Sequence, residues 1–128
     1  MEELRQEQHY TIPGPPIPAP RMTQRDRWKQ RPAVLRYWAY RDTIRDKIGQ
    51  IEASQMRLTF YLAFPKSYSS KKRQKLAGQP HQQKPDADNL AKAVLDALFL
   101  DDAHVWKLDI RKYWEDEQGA RTEIEWVT

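Results

Sequence analysis

Two aspartates separated by a single residue are the first feature of this sequence that could do chemistry. Asp86 and Asp88 stand directly before an apolar helical pattern, and two further acids, Asp101 and Asp102, follow that pattern. We expect the stretch before the helix to be extended, so that both side chains of the first pair point the same way and reach one cation. Hard oxygen ligands of this kind select Mg²⁺ or Mn²⁺. The sequence predicts a metal site if tertiary packing brings the two acidic pairs together.

A lysine lies close to the first acidic pair. Lys92 follows Asp88 by one helical turn, and its ammonium could lie against negative charge that develops on a phosphate. A carboxylate-bound metal beside such a lysine indicates phosphoryl transfer, in which the metal activates water and stabilises the leaving oxygen. Structural alternatives stay open: Asp88 can be a helix N-cap, or pair with Lys92 at i,i+4, and the tandem acids can simply end a helix.

Other kinds of metal or nuclease site fit these residues less well. An EF-hand loop needs a glycine and a terminal glutamate where this chain has Ala91 and Ala97. A restriction-enzyme-like site needs an acid, any residue and then lysine after its first aspartate, and the chain contains no such triplet. The chain has no cysteine, which excludes disulfides and thiolate zinc sites.

Basic residues are concentrated away from the acids. The net charge is +4, but the segment from Asp101 onward carries eight acids against four bases. Between Pro65 and Pro85 the chain has six basic residues and no acid. This asymmetry fits basic loops that attract phosphate around an acidic pocket, although loops kept basic for solubility are an alternative. The predicted DNA contacts are Lys71, Lys72, Arg73, Lys75 and Lys84.

Hydrophobic periodicity predicts a mixed fold around the acids. The expected elements are a strand over 9–12, a Pro-rich and basic loop over 13–33, an amphipathic helix over 32–51, a strand over 56–64, a basic loop over 65–85 that is free to be mobile, a helix over 88–98 capped by Asp88, and strands over 105–114 and 121–126 joined by a turn at 116–119. The prediction is one α+β domain over 1–128, with a small mixed β-sheet of about four strands packed with two main helices.

The length and composition narrow the class of protein. A chain of 128 residues suffices for one domain with a buried core. No apolar run approaches the roughly 18 residues of a membrane span, and the first eight residues are charged and lack an apolar signal region. We therefore expect a cytoplasmic protein without a membrane partner.

The acidic motif also carries a family resemblance. The stretch KPDADNLAK, residues 84–92, continuing through Asp96-Ala97-Leu98 to DDAHV, residues 101–105, resembles the signature of the RusA family of Holliday junction resolvases. The resemblance implies a small homodimer, often encoded by phages or prophages, that cuts four-way DNA junctions with Mg²⁺ in recombination and repair. Its motif implies metal-binding catalytic carboxylates and an essential lysine, with a possible further ligand from the first tandem acid. The catalytic carboxylates are those of Asp86, Asp88 and Asp102, and the lysine is Lys92. Asp101 is the additional contributor.

Three functions follow from these observations. The leading hypothesis is a crossover junction endodeoxyribonuclease that requires Mg²⁺, with Mn²⁺ able to substitute. The alternatives are a nuclease for other branched DNA and a catalytically silent DNA-binding module of the same fold. The tandem acids and Lys92 argue against silence, because pure binding favours fewer carboxylates near phosphate. A homodimer is expected because two symmetric nicks need two sites related by a twofold axis.

Overall fold

The fold combines one four-stranded sheet with helices. The computed structural model describes residues 8–21 and 31–128. Within these ranges the elements in chain order are β1 (Gln8–Pro13), α1 (Pro32–Ile48), β2 (Gln55–Leu62), α2 (Ser70–Leu76), α3 (Ala87–Leu98), β3 (Lys107–Trp114) and β4 (Arg121–Val127). The predicted α+β class and the four strands are confirmed. The predicted loop over 13–33 lies partly outside the described residues, since it includes 22–30.

The sheet order places β2 in a central position. The order is β1-β4-β2-β3, with β2 parallel to β3 and antiparallel to β4, while β1 and β4 are antiparallel. Leu58, Thr59 and Phe60 in β2 are all buried, so both faces of this strand are covered. Parallel neighbours need a long crossover connection. The segment between β2 and β3 supplies it, and this segment carries α2, α3 and all four candidate acids.

The core lies between the sheet and the pair α1 and α3. Proline starts α1, where its missing N–H is not needed. The helix stops at Ile48 rather than near residue 51, because Gly49 takes a left-handed φ of 76° and donates its N–H to the Arg45 carbonyl. The fully buried side chains include Val34, Ile44, Leu58, Phe60, Leu90, Val94, Leu98 and Ile124. No helix in the described ranges is both long and apolar enough to span a membrane.

Two predicted boundaries are wrong in a way that affects the site. Helix α3 begins at Ala87, with Asp86 at the N-cap position and Asp88 in the first turn, so the prediction of Asp88 as N-cap is wrong. Strand β3 begins at Lys107 rather than at residue 105. Aspartate is a favourable N-cap residue, so residue type alone could not decide whether Asp86 or Asp88 occupies the N-cap position.

A third helix occupies part of the segment expected to be an aperiodic loop. Helix α2 has Ser69 as its N-cap, whose hydroxyl accepts the Lys72 N–H at 3.1 Å. None of its residues is buried, so it has no apolar stripe from which periodicity could detect it. Arg73 anchors it by donating to the carbonyls of Tyr68, Pro65 and Lys66. The segment over 65–85 is therefore partly helical.

Candidate active site

The first acidic pair lies at the N-terminal end of α3. Asp86 has extended backbone angles, φ −68° and ψ 143°, but the helix starts with the next residue. The expectation of one extended stretch carrying both side chains is therefore wrong. The Asp88 carboxylate accepts the N–H of Asn89 at 2.9 Å. Both acids are exposed at the end of the helix whose dipole favours negative charge.

Asp86 already pairs with a cationic group. The Lys84 ammonium lies 2.7 Å from Asp86 Oδ1, and this hydrogen bond raises the pKa of Lys84. The Lys84 side chain is 85% exposed, so it can leave the carboxylate without losing buried contacts. The same oxygen makes no capping bond to the helix. Asp86 is thus an exposed carboxylate that an incoming cation can reach.

The tandem acids differ in what they contact. Asp101 Oδ1 accepts the N–H of Ala103 at 2.9 Å, which closes the turn after α3. Asp102 is close enough to Lys92 for its charge to help raise the pKa of that lysine. Both acids and His104 line a cavity of about 400 Å³ between this turn and the start of β2. Asp102 is therefore the tandem acid that is electrostatically coupled to α3.

Lys92 is held in place by Asp96 and Tyr37, and the sequence analysis predicted neither contact. Its ammonium lies 2.7 Å from Asp96 Oδ2, and the buried Tyr37 donates its hydroxyl to the same oxygen at 3.2 Å. The hydrogen bond to Asp96 raises the pKa of Lys92, and the charges of Asp96 and Asp102 add to this effect. Burial, with Asp96, raises the pKa of Tyr37. The structure pairs Lys92 with Asp96 and not with Asp88.

The candidate acids fit a hard cation by their chemistry, but they are not gathered into one close cluster. Among residues 8–21 and 31–128, no group of three or more His, Cys, Asp or Glu side chains could hold a metal ion. The donors are all exposed carboxylate oxygens, which suit Mg²⁺ or Mn²⁺. One of them, on Asp86, already binds an ammonium. The first acidic pair lies at the start of α3, and the charge of Asp102 acts on Lys92 of the same helix.

Lys84 pairs with Asp86, and the other four predicted DNA contacts separate into two groups. Lys71, Lys72 and Lys75 are exposed on α2, and the Lys72 ammonium lies 3.8 Å from the centre of the Tyr68 ring. Arg73 is only partly exposed, and its guanidinium is engaged with backbone carbonyls of the preceding turn. Three lysines of α2 are therefore available to a phosphate backbone, whereas Arg73 mainly fixes the helix that carries them.

Sequence comparison covers nearly the whole chain. The family described as Endodeoxyribonuclease RusA matches residues 13–126. That range contains both acidic pairs, Lys92, and the elements from α1 through β3 in full. None of the curated proteins matches the chain. Because the family match extends far beyond the acidic motif and includes the elements that position it, this chain belongs to the RusA endodeoxyribonuclease family.

Proposed function

We propose that this protein is a cytoplasmic, Mg²⁺-dependent endonuclease that resolves Holliday junctions by paired symmetric nicks in DNA recombination and repair. The observation that carries the proposal is the placement of Asp86 and Asp88 at the start of α3, with Lys92 one turn further along, in a chain of the RusA family. These residues supply oxygen ligands and a positive charge on one helix. Metal-dependent phosphodiester hydrolysis can use both, the ligands to hold the metal and the charge to stabilise the phosphate.

The carboxylates have the role of metal ligands in this proposal. Asp86 and Asp88 would hold the cation at the helix N-terminus. Asp102 would be the third ligand and Asp101 a further one, although within the described part of the chain neither tandem acid forms a close cluster with the first pair. Bound Mg²⁺, or Mn²⁺ in its place, supplies Lewis-acid stabilisation and a more acidic water. Lys84 neutralises Asp86 in the free protein. Once it leaves that carboxylate, its ammonium is free to contact a DNA phosphate.

Lys92 has the role of stabilising negative charge on the scissile phosphate. An ammonium has three N–H donors, and the contact with Asp96 uses one of them. Asp96 and Tyr37 fix the position of the remaining two, since the tyrosine is buried and its hydroxyl is bonded to the same carboxylate oxygen. A preorganised donor of this kind stabilises the transition state without reorganising during the reaction.

The proposal is tested by comparing DNA substrates of different shape. We would incubate the purified protein with end-labelled four-way junction, fork and linear duplex, with Mg²⁺, Mn²⁺ or a chelator. Metal-dependent symmetric nicks in the junction alone support resolution. Preferential cutting of the fork would assign the protein to other branched DNA. Binding to the junction without cutting in either metal would identify a silent module and overturn the proposal.

Paired nicking also requires two active sites on one junction. We propose a homodimer, because a twofold axis relates the two strands that are cut. Sedimentation of the protein with and without junction measures its assembly state. A protein that remains monomeric on the junction and still makes paired nicks would contradict this part of the proposal.

The α2 lysines are expected to set the salt dependence of DNA binding. Replacing Lys71, Lys72 and Lys75 together by alanine should weaken binding to all DNA shapes. Each phosphate contact contributes roughly 0.9 to the slope of log affinity against log salt, so the slope should fall by up to about 2.7. Binding titrations on junction and duplex between low and moderate salt measure this slope.

A matched control removes one lysine from a different helix. Lys47 is exposed in the last turn of α1, and Lys47→Ala should leave the slope unchanged. An unaltered slope in the triple variant would show that α2 does not contact phosphate.

Arg73→Ala should instead lower the melting temperature, because its guanidinium holds the turn before α2.

A further inference from the structure

Strand β3 holds the segment that leads into the candidate active site. The N–H of His81 donates to the carbonyl of Lys112 at 3.0 Å, and the N–H of Trp114 donates to the carbonyl of Gln79 at 2.9 Å. Pro80 and Tyr113 form the β-bridge between these two bonds. The chain over 79–81 therefore lies along the outer edge of β3, immediately before the stretch that carries Asp86.

An anchor of aromatic contacts fixes the start of this segment. The His81 side chain is buried, and its ring centre lies 4.2 Å from that of Trp114. Trp114 in turn stacks on Phe64, with ring centres 5.2 Å apart. Because His81 is fixed by both its backbone and its ring, only residues 82–85 separate a rigid attachment point from Asp86.

The side chain of Lys112 spans those remaining residues. Its ammonium donates to the carbonyl of Pro85 at 2.7 Å and to the carbonyl of Gln83 at 2.5 Å. The Pro85 carbonyl belongs to the same rigid peptide group as the N–H of Asp86. A hydrogen bond to that carbonyl therefore fixes the plane from which the Asp86 side chain projects.

We propose that Lys112 is a positioning residue for Asp86, which holds this carboxylate at the start of α3 in the orientation that metal binding requires. The inference rests on the proposed function. Lys112 makes no direct contact with the carboxylate; Lys84 does, from the exposed side. The two lysines thus have separate roles, since Lys84 can move away while Lys112 is bonded to backbone that must stay in place.

The electrostatics agree with this placement. Burial lowers the pKa of Lys112, and Asp86 opposes that change while Lys84 adds to it. The ammonium is therefore partly removed from solvent and close enough to Asp86 to interact with its charge. Two carbonyl acceptors compensate for the lost hydration, as a partly buried ammonium requires.

The test compares three variants with the wild type. Lys112→Met keeps the apolar stem and removes the donors, Lys112→Arg keeps donors and charge, and Lys107→Met removes a charge from an exposed position on the same strand. Misplacement of a reacting group by about 1 Å can cost roughly 100-fold in rate. We expect Lys112→Met to lower kcat for junction cleavage by about this factor with KM little changed. Lys112→Arg should recover most of the loss, and Lys107→Met should match the wild type.

A metal titration gives a readout that does not depend on activity. The Mn²⁺ concentration that produces half of the rise in melting temperature should increase in Lys112→Met, by about 10–100-fold if Lys112 behaves as other residues that orient a metal ligand. A wild-type kcat and Mn²⁺ midpoint in Lys112→Met would overturn the inference, and so would a loss confined to junction binding. If that variant fails to fold, the same two measurements on Lys112→Gln decide. A wild type that neither cleaves nor responds to Mn²⁺ would instead refute the proposed function.

Discussion

Asp88→Asn should abolish junction cleavage while leaving junction binding intact or tighter. The substitution removes one negative charge and one metal ligand but keeps a side-chain oxygen that can accept the N–H of Asn89. Loss of a residue that merely orients a ligand commonly costs 10–100-fold, so loss of the ligand itself should lower kcat by at least about 100-fold. Binding should not suffer, because a carboxylate near DNA repels phosphate. Single-turnover cleavage and binding titrations on the same junction measure the two effects.

The metal response of the same variant separates a catalytic role from a structural one. Mg²⁺ at a hundredfold its Kd adds about 2.7 kcal/mol to the stability of a folded state that binds it. We expect this rise in the wild type and a much smaller one in Asp88→Asn. Without metal, the variant should lose at most about 1 kcal/mol, because a negative charge in the first turn of a helix contributes no more than that.

The control makes the same chemical change on another helix. Asp46 is exposed on α1, and Asp46→Asn should retain cleavage and the full metal response. An active Asp88→Asn enzyme with an unchanged response to Mg²⁺ would leave Asp88 with only its structural role at the helix start. That outcome would remove the central residue of the proposed metal site.

Local pattern was enough to locate the acids, the four strands and the helices α1 and α3. The apolar residues of α3 recur at helical spacing, and Leu90, Val94 and Leu98 are all fully buried. The β2 strand was equally visible from its alternation, although its central position in the sheet buries Thr59 as well. Such signals arise from the side of an element that faces the core, and they survive in a single sequence.

The residues that position the site could not be predicted from local sequence pattern. Tyr37 reaches Asp96 across 59 residues of sequence, and Lys112 reaches Gln83 across 29. The first contact depends on how α1 packs against α3, and the second on how β3 lies beside the segment before α3. Spacing along the chain encodes neither. Helix α2 was not predicted for a different reason. It buries no side chain and therefore has no apolar periodicity in its sequence.

A buried arginine joins the end of the sheet to the β3–β4 turn. The Arg121 side chain is 8% exposed and lies 2.8 Å from both Asp116 Oδ1 and Glu123 Oε2. It also donates to the carbonyl of Gly119 at 2.9 Å, and its guanidinium carbon lies 3.7 Å from the centre of the Tyr61 ring. The Arg121 side chain thus donates to Asp116 and Gly119 of the turn and to Glu123 of β4, while it packs on Tyr61 of β2.

Arg121→Met should be strongly destabilising. Removing one partner of a buried ion pair costs about 3–5 kcal/mol, because the remaining charge is left uncompensated. Asp116 and Glu123 keep 33% and 23% of their side-chain exposure, so we expect a loss of about 3 kcal/mol, at the lower end of this range. Urea unfolding at pH 7 measures it. Arg57→Met is the matched control, since Arg57 and Asp109 are 38% and 34% exposed and such a pair is worth at most about 1 kcal/mol.

The pH dependence identifies the ion pair as the source of this loss. The hydrogen bond from Arg121 holds the pKa of Asp116 below its ordinary value of 3.8. A carboxyl with a lowered pKa in the folded state contributes stability that is present above its unfolded pKa and disappears as pH falls through the folded value. The difference in unfolding free energy between the wild type and Arg121→Met should therefore have its full size at pH 7. It should become smaller as pH falls below about 4. A gap of equal size at pH 7 and at pH 2 would show that Arg121 stabilises the fold through packing on Tyr61 instead of through its charge.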